Sequence, residues 1–399
     1  MHTAAKKKPT ILVFADPLLP PHGTFIRCQA EALEGFIPYY IGPRQLVNRG
    51  LSLPAERVLA INAADGIIGK IRETPFRWFG YAPIYFRRLR SLNPVLLHAH
   101  FGPAGLRALC LAEWLHIPLV TTFHGFDATI EDGFLTTSVF KQARYVRRRH
   151  ILGRRGRLFL AVSQFIKRKM LERGFSEKKI VVHYTGVDTD FFRVDQVVER
   201  EPIVLFTGSL NQQKGCEYLI QAMARVQAAM PDIELVVIGE GPLRQRLEAL
   251  AREKLTRFRF LGTQNPNTVR HWMNRAKVFS VPSVAAESGA EEGFGMVFAE
   301  AQAMGCPVVS FSTGGIPEAV AHEQTGLLAK ERDAETLSEF ILLLLGNEAL
   351  WRQMSAAGRN RVCALFDLKT QTKRLEDIYD QVTNQGQGSP PHLSASYAL

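Results

Sequence analysis

The stretch PIVLFTGSLNQQKG, residues 202 to 215, carries the grammar on which the whole chain is built. A short apolar run meets a glycine, then polar residues, then a lysine where helical spacing begins. A run this short, bounded by a glycine, reads as a buried strand rather than a helix. Gly208 lets the backbone turn closely. Lys214 stands at the helix start, where free amides already favour an anion. The turn is a phosphate pocket in principle, although a plain strand–helix turn has the same residues.

The pattern recurs on both sides. In the first half TILVFA (10–15), PVLLHAH (94–100), PLVTTFH (118–124), RLFLAV (157–162) and KIVVHY (179–184) read as strands. Helical spacing fills 24–34, 103–115 and 163–173. In the second half PIVLFTG (202–208), IELVVIG (233–239), FRFLG (258–262), KVFSVPS (277–283) and CPVVSF (306–311) read as strands, with helices over 215–229 and 296–304. Strand–helix–strand alternation makes a mostly parallel sheet covered on both faces. Polar residues interrupt the pattern between Asp190 and Glu201, and the hinge is placed there. The expectation is α/β: two Rossmann-like, doubly wound parallel-sheet domains, 1–195 and 196–366, with a cleft between them. An amphipathic helix over 367–383 is expected to pack back on the first domain. The Gly/Pro/Ser/Gln-rich tail, 384–399, is expected to be disordered.

Charge is uneven. Residues 1–199 hold 29 Lys and Arg against 16 Asp and Glu, a net +13, and the rest of the chain holds 20 against 22, a net −2. The surplus peaks in KQARYVRRRHILGRRGR (141–157), with eight basic residues and no acidic one. Such a patch attracts nucleic acid, acidic lipid head groups or a phosphorylated substrate, or serves only as a solvated face. Only Tyr145 interleaves with the basic residues as an aromatic, so base-stacking platforms are lacking. Five scattered cysteines with no CxxC pair point to a reducing compartment. The run ILVFA after Lys6 to Lys8 ends at Asp16 and Pro17 and falls short of the roughly 7–15 residues of a signal core. It reads as a first strand.

EEGFGMVFAE, residues 291 to 300, holds the second concentration of chemistry. Gly293 and Gly295 permit unusual backbone angles and close ligand approach. A helix starting near Met296 points its free amides back at the turn. Glu300 falls about one turn into that helix, among Val297, Phe298 and Ala301. A carboxylate there can accept two hydrogen bonds side by side, as from the vicinal hydroxyls of a ribose. Glu292 stands before the turn, where it could hold hydroxyls of a sugar. Helix-end electrostatics alone account tolerably for Glu292 and poorly for Glu300.

Two glutamates with seven residues between them, followed by EAQAMGCPVVSFSTGGIPEAV, resemble the donor-binding region of glycosyltransferase family 4. The likeness extends through GSLNQQKGCEYLIQA, IGEGPLR (238–244), VPS (281–283) and YTGVDTDFF (184–192). In the first half TFIRCQAEAL, HAHFG and TTFHGFDAT resemble the exopolysaccharide and colanic-acid-type branch.

That resemblance implies the GT-B fold of two Rossmann-like domains, a retaining mechanism and a nucleotide-sugar donor. It implies that Glu300 binds ribose hydroxyls and Glu292 sits at the transferred sugar. Amides of Gly293, Phe294, Gly295, Met296 and Val297 would meet sugar and diphosphate. Lys214, beside Gly208, would neutralise the departing diphosphate. His124, in FHGFD, would reach the donor sugar, and Gly23, in PHGTF, would lie where donor and acceptor meet. The departing phosphate itself would take the acceptor's proton, so no protein nucleophile is assigned. The family usually has arginine where this chain has Ser209, which removes a bidentate phosphate donor. Arg244 is the residue considered as a substitute.

No metal or other cofactor is expected. The aspartates of DTD (188–190) follow a Gly–Val turn, and His98 and His100 share one strand face with no carboxylate or cysteine at useful spacing. The expected activity is hexosyl transfer to a growing, lipid-linked saccharide in surface polysaccharide assembly. The expected place is the inner face of the cytoplasmic membrane, held peripherally through the basic first half, with no nucleic-acid partner. The rivals are a soluble transferase to a small acceptor such as a sugar phosphate, and a non-catalytic sugar-nucleotide-binding scaffold.

Overall fold

The computed structural model describes residues 8–18, 23–44, 53–62, 74–76, 82–137, 142–195 and 197–384. The tail beyond residue 384, Lys6, Lys7 and Lys141 lie outside the described residues. The chain forms two compact units, 1–186 with 368–399, and 187–367.

The first unit is built on seven strands: β1 (Thr10–Phe14), β2 (Ile37–Arg44), β3 (Val58–Asn62), β4 (Pro94–His100), β5 (Leu119–Phe123), β6 (Leu158–Ala161) and β7 (Ile180–Val182). All pair in parallel, in the order β3-β2-β1-β4-β5-β6-β7. Leu12, Leu97, Val120 and Leu160 are buried, as continuous apolar strands under helices on both faces must be. β2 and β3 escape the apolar-run reading. Pro38, Gly42 and Pro43 punctuate β2, and β3 is a short edge strand.

The helix Leu368–Asn384 belongs to this unit. Its Leu375, Ile378, Tyr379 and Val382 share a core with Ile11, Val13, Tyr40, Leu96 and Val120. Glu376 is buried and its Oε1 accepts from the amides of Glu34 (2.7 Å) and Gly35 (2.5 Å). A buried carboxylate without such donors would be costly.

The second unit has six parallel strands: β8 (Glu201–Thr207), β9 (Glu234–Ile238), β10 (Phe258–Phe260), β11 (Ala276–Phe279), β12 (Val308–Phe311) and β13 (Gly326–Ala329). Their order is β10-β9-β8-β11-β12-β13. The winding therefore reverses between β8 and β11, the place where such sheets take ligands. β13, a short edge strand, is absent from the sequence-based set.

The polar segment expected as a hinge lies inside this unit. Val187 N donates to Phe366 O (2.7 Å), and Asp195 N to Asn274 Oδ1 (3.1 Å). The boundary is at 186/187 rather than 195/196. Among the described residues no helix is long and apolar enough to cross a membrane.

Candidate functional site

The turn after β8 is fixed by close backbone contacts. A Cβ on Gly239 would lie 1.9 Å from Gly208 O, so the turns that follow β8 and β9 press together. Asn211 Oδ1 accepts from Lys214 N (3.1 Å) and closes a short 3-10 turn over Gln212–Lys214. Gly215 follows in the left-handed region, φ 61°, and a Cβ there would meet Pro282 O at 1.9 Å. Only glycine tolerates that pairing of angle and space. The loop is thereby held against the segment that follows β11.

This contact brings Lys214 to Glu292. Lys214 Nζ forms an ion pair with Glu292 Oε2, and Ser283 Oγ donates to the same oxygen at 3.4 Å. Both charged side chains are mostly buried, 18% and 12% exposed. The backbone that carries Glu292 is clamped as well. Gly315 N donates to Glu292 O (2.8 Å), and a Cβ on Gly315 would lie 2.1 Å from Gly293 O. Phe294 is buried edge-on to Phe366, with ring centroids 5.0 Å apart. Gly295 takes φ 83° as N-cap of the helix Met296–Ala303, where a Cβ would strike the Phe298 ring.

Met296, Val297 and Glu300 are the partly exposed residues of that helix, and 3–4 spacing puts them on one stripe. Glu300 keeps an edge in solvent, but protein surrounds its carboxyl. Among the described residues no donor or cation is bonded to it, and desolvation pushes it up to about 7. The helix's first amides have no intrahelical acceptor. The Lys214–Glu292 pair thus stands at the carboxyl ends of β8 and β11, with Glu292 just ahead of the helix that bears the desolvated Glu300.

Arg244 is engaged elsewhere. Its guanidinium is paired with Glu240, and its Nε donates to Glu248 at 2.8 Å. A diphosphate would have to draw it from two carboxylates. Ser209 is partly exposed beside Gly208. The DTD aspartates shape a turn: Asp188 Oδ1 accepts from the amides of Asp190 (3.1 Å) and Phe191 (2.9 Å). Among the described residues no group of three or more metal-ligating side chains gathers.

His124 and Gly23 belong to the first unit, and the structure brings them near one another. Gly23 is N-cap of the helix Thr24–Glu31, and Phe25 of that helix packs on His124 with centroids 4.8 Å apart. Phe101 packs on the same ring at 4.7 Å. Asp127 holds the loop, accepting from the amides of His124 (3.2 Å), Gly125 (2.9 Å) and Gly102 (2.8 Å). Burial pushes the Asp127 carboxyl up to about 6 despite these donors. His100 Nδ1 lies 3.1 Å from His124 Nε2. Burial first, then neighbouring His98, takes His124 down to about 3, so its ring is neutral at physiological pH.

Ser283, Asp127 and His100 have no role in the sequence-based site. Asp127 stands within the FHGFD motif, so a signal was present. Ser283 matters only through a fold contact.

Two family models match the chain consecutively: Glycosyltransferase Family 4 over residues 35–191, and Glycosyl transferases group 1 over residues 188–361. A GDP-mannose-dependent monoacylated alpha-(1-6)-phosphatidylinositol monomannoside mannosyltransferase of Corynebacterium glutamicum is 34% identical over 178 residues, covering 44% of this chain and 46% of that protein. The amylovoran biosynthesis glycosyltransferase AmsK of Erwinia amylovora is 28% identical over 299 residues, covering 71% of this chain and 69% of that protein. The chain thus spans from under half to about two thirds of these relatives. Among solved structures, sucrose-phosphate synthase from Thermosynechococcus elongatus superposes with TM-score 0.75 at 23% identity, covering 94% of this chain and 99% of that one. With both family models matched in sequence and two parallel-sheet units of this topology, the chain belongs to the glycosyltransferases of GT-B fold.

Proposed function

We propose that this chain is a retaining hexosyltransferase that moves a sugar from a nucleotide diphosphate sugar to a growing, lipid-linked saccharide. The observation that carries the reading is the meeting of Lys214 and Glu292 at the amino end of the helix that bears the unpaired Glu300. Ribose hydroxyls would donate to Glu300, and ionised Glu300 would gain the partners it lacks. The diphosphate would take Lys214 and the amides of Met296 and Val297. Glu292, released from Lys214, would hold a hydroxyl of the transferred sugar, and His124 would contact the donor sugar as the family resemblance implies. The bond from C1 to the phosphate oxygen breaks and the bond from C1 to the acceptor oxygen forms on the same face. The acceptor's proton passes to the departing phosphate. Fixed donors and a cation stabilise the charge that develops there.

The names of the two relatives, one a GDP-mannose-dependent enzyme of a phosphatidylinositol mannoside and one an enzyme of amylovoran biosynthesis, support the donor and acceptor classes. The basic helix Ala143–Arg155 supports an anionic surface as partner. Arg147, Arg148, Arg154 and Arg155 are exposed on it, while Tyr145 and Leu152 anchor it. No metal or cofactor is invoked.

Thermal unfolding with UDP, GDP, ADP and their sugar conjugates tests the reading. A ligand at ~100 times its dissociation constant stabilises what it binds by ~2.7 kcal/mol. One nucleotide should stabilise the protein, and Glu300→Ala should lose the effect. Silence from every nucleotide would favour the scaffold reading, with Ser209 as the lesion. Binding to anionic vesicles at low salt, lost at high salt, tests the membrane arm, and indifference to vesicles would favour a small soluble acceptor.

A further inference from the structure

We propose that His100 is a positioning residue that fixes the tautomer and ring orientation of His124. The inference rests on the reading of His124 as a donor-sugar contact. It begins with the sheet. His98 and His100 alternate onto one face of β4, with ring centroids 4.4 Å apart. In the parallel register His98 lies beside Val120 and His100 beside Thr122. Each histidine bonds two residues further along, His98 Nε2 to Thr122 Oγ1 (2.6 Å) and His100 Nδ1 to His124 Nε2 (3.1 Å). The two form rungs of one diagonal ladder.

The lower rung is locked. His98 Nδ1 bonds Tyr379 OH at 2.6 Å, so both of its ring nitrogens are used. His98 is then a fixed wall against which the tilted ring of His100 packs. The upper rung is where selection occurs. His124's backbone is held by Asp127, and its ring lies against Phe25 and Phe101. Those contacts define a slot for a flat ring but not which way round the ring sits. A half-turn about the Cβ–Cγ bond exchanges carbon and nitrogen positions with almost no change of shape. Among the described residues, only the bond to His100 distinguishes the two orientations.

One proton serves the pair, because both rings are neutral at physiological pH, through burial first and then through a neighbouring histidine, His124 for His100 and His98 for His124. If His124 Nε2 carries the proton, its Nδ1 is a pure acceptor for a sugar hydroxyl. If His100 Nδ1 carries it, His124 Nδ1–H is a pure donor. In either case the tautomer of His124 is tied to that of His100, whose Nδ1 decides as donor or acceptor what His124 Nδ1 presents. Sequence spacing put the two β4 histidines on one face with a cleft-lining or buried hydrogen-bonded role, but named no partner for either.

The test uses the full chain labelled with 15N-histidine. Long-range proton–nitrogen correlations of the rings, with His124 assigned by its loss in His124→Ala, report the tautomer directly. The wild type should show one tautomer for His124. His100→Phe keeps a flat apolar ring and removes the bond, so it should show both. His100→Gln retains a hydrogen-bonding group and should restore the bias. Slow hydrolysis of whichever of UDP-glucose, GDP-mannose and ADP-glucose is turned over should lose about ten-fold in kcat in His100→Phe, the equivalent of ~1.4 kcal/mol, with KM little changed. Both tautomers in the wild type, or one unchanged tautomer in His100→Phe, would overturn the proposal. If the tautomer shifts while neither His100→Phe nor His124→Ala alters turnover, the positioning stands and the donor-sugar reading of His124 falls.

Discussion

Replacing Glu300 with glutamine should make the ligand-free second unit more stable at alkaline pH while weakening its hold on nucleotide. The carboxyl rises from its ordinary 4.5 to about 7 because it is desolvated without a partner. Between those values the folded state keeps a proton that the unfolded state has released. Stability must therefore fall as pH climbs from about 4.5 to 7 and stay low above. The full shift corresponds to roughly 3 kcal/mol, and about 2 kcal/mol remains once the residue's partial exposure is discounted. Glutamine imitates the neutral acid and escapes the penalty. In a unit of this size that is about 4–8 °C in Tm at pH 8, and little at pH 5. Calorimetric scans of wild type and Glu300→Gln at the two pH values measure it. Nucleotide affinity should move the opposite way, about ten-fold weaker in the variant at pH 8, since a charge-assisted hydrogen bond becomes a neutral one. An equal gain at both pH values, or none at pH 8, would refute the desolvation argument.

Ser209→Arg should tighten binding of the nucleotide diphosphate by about five-fold, on the order of 1 kcal/mol, if the turn after β8 receives phosphate, as isothermal titration would show. Gly215→Ala should cost the second unit about 3 kcal/mol or more, because the residue takes φ 61° with Pro282 O in the way. Gly346→Ala, with open space around the new methyl, is the control, and the urea midpoint compares them. Glu376→Ala should lower the thermal transition of the first unit by the equivalent of about 2–3 kcal/mol, since two backbone amides lose their shared acceptor. The transition of the second unit should not move.

Much of this protein was legible along the chain because the signals are local. Continuous apolar runs announce parallel strands buried on both faces, and ten of the thirteen strands described carry one; β2 shows the limit, with two prolines and a glycine inside it. Ser163 caps its helix through Ile166 N at 3.0 Å, as a serine before a helical run should. The two glutamates around Gly293 and Gly295 mark a ligand turn because glycine's freedom and helix-end amides are properties of a few consecutive residues.

Pairings between distant residues were beyond that reach. Lys214 and Glu292 are 78 residues apart, and they meet because the sheet order sets β8 beside β11. Arg244 is the local exception: it is taken by the carboxylates of Glu240 and Glu248, each four residues away, a pairing that helical spacing already offers. His98 finds Tyr379 281 residues away, because the final helix returns to cover the first sheet. Sequence by itself determined which residue types stand at each turn, since backbone freedom and apolar periodicity are short-range. Only the tertiary structure decided which charges are neutralised, which carboxyl is left without a partner and which histidine holds another, since those depend on strand order and burial.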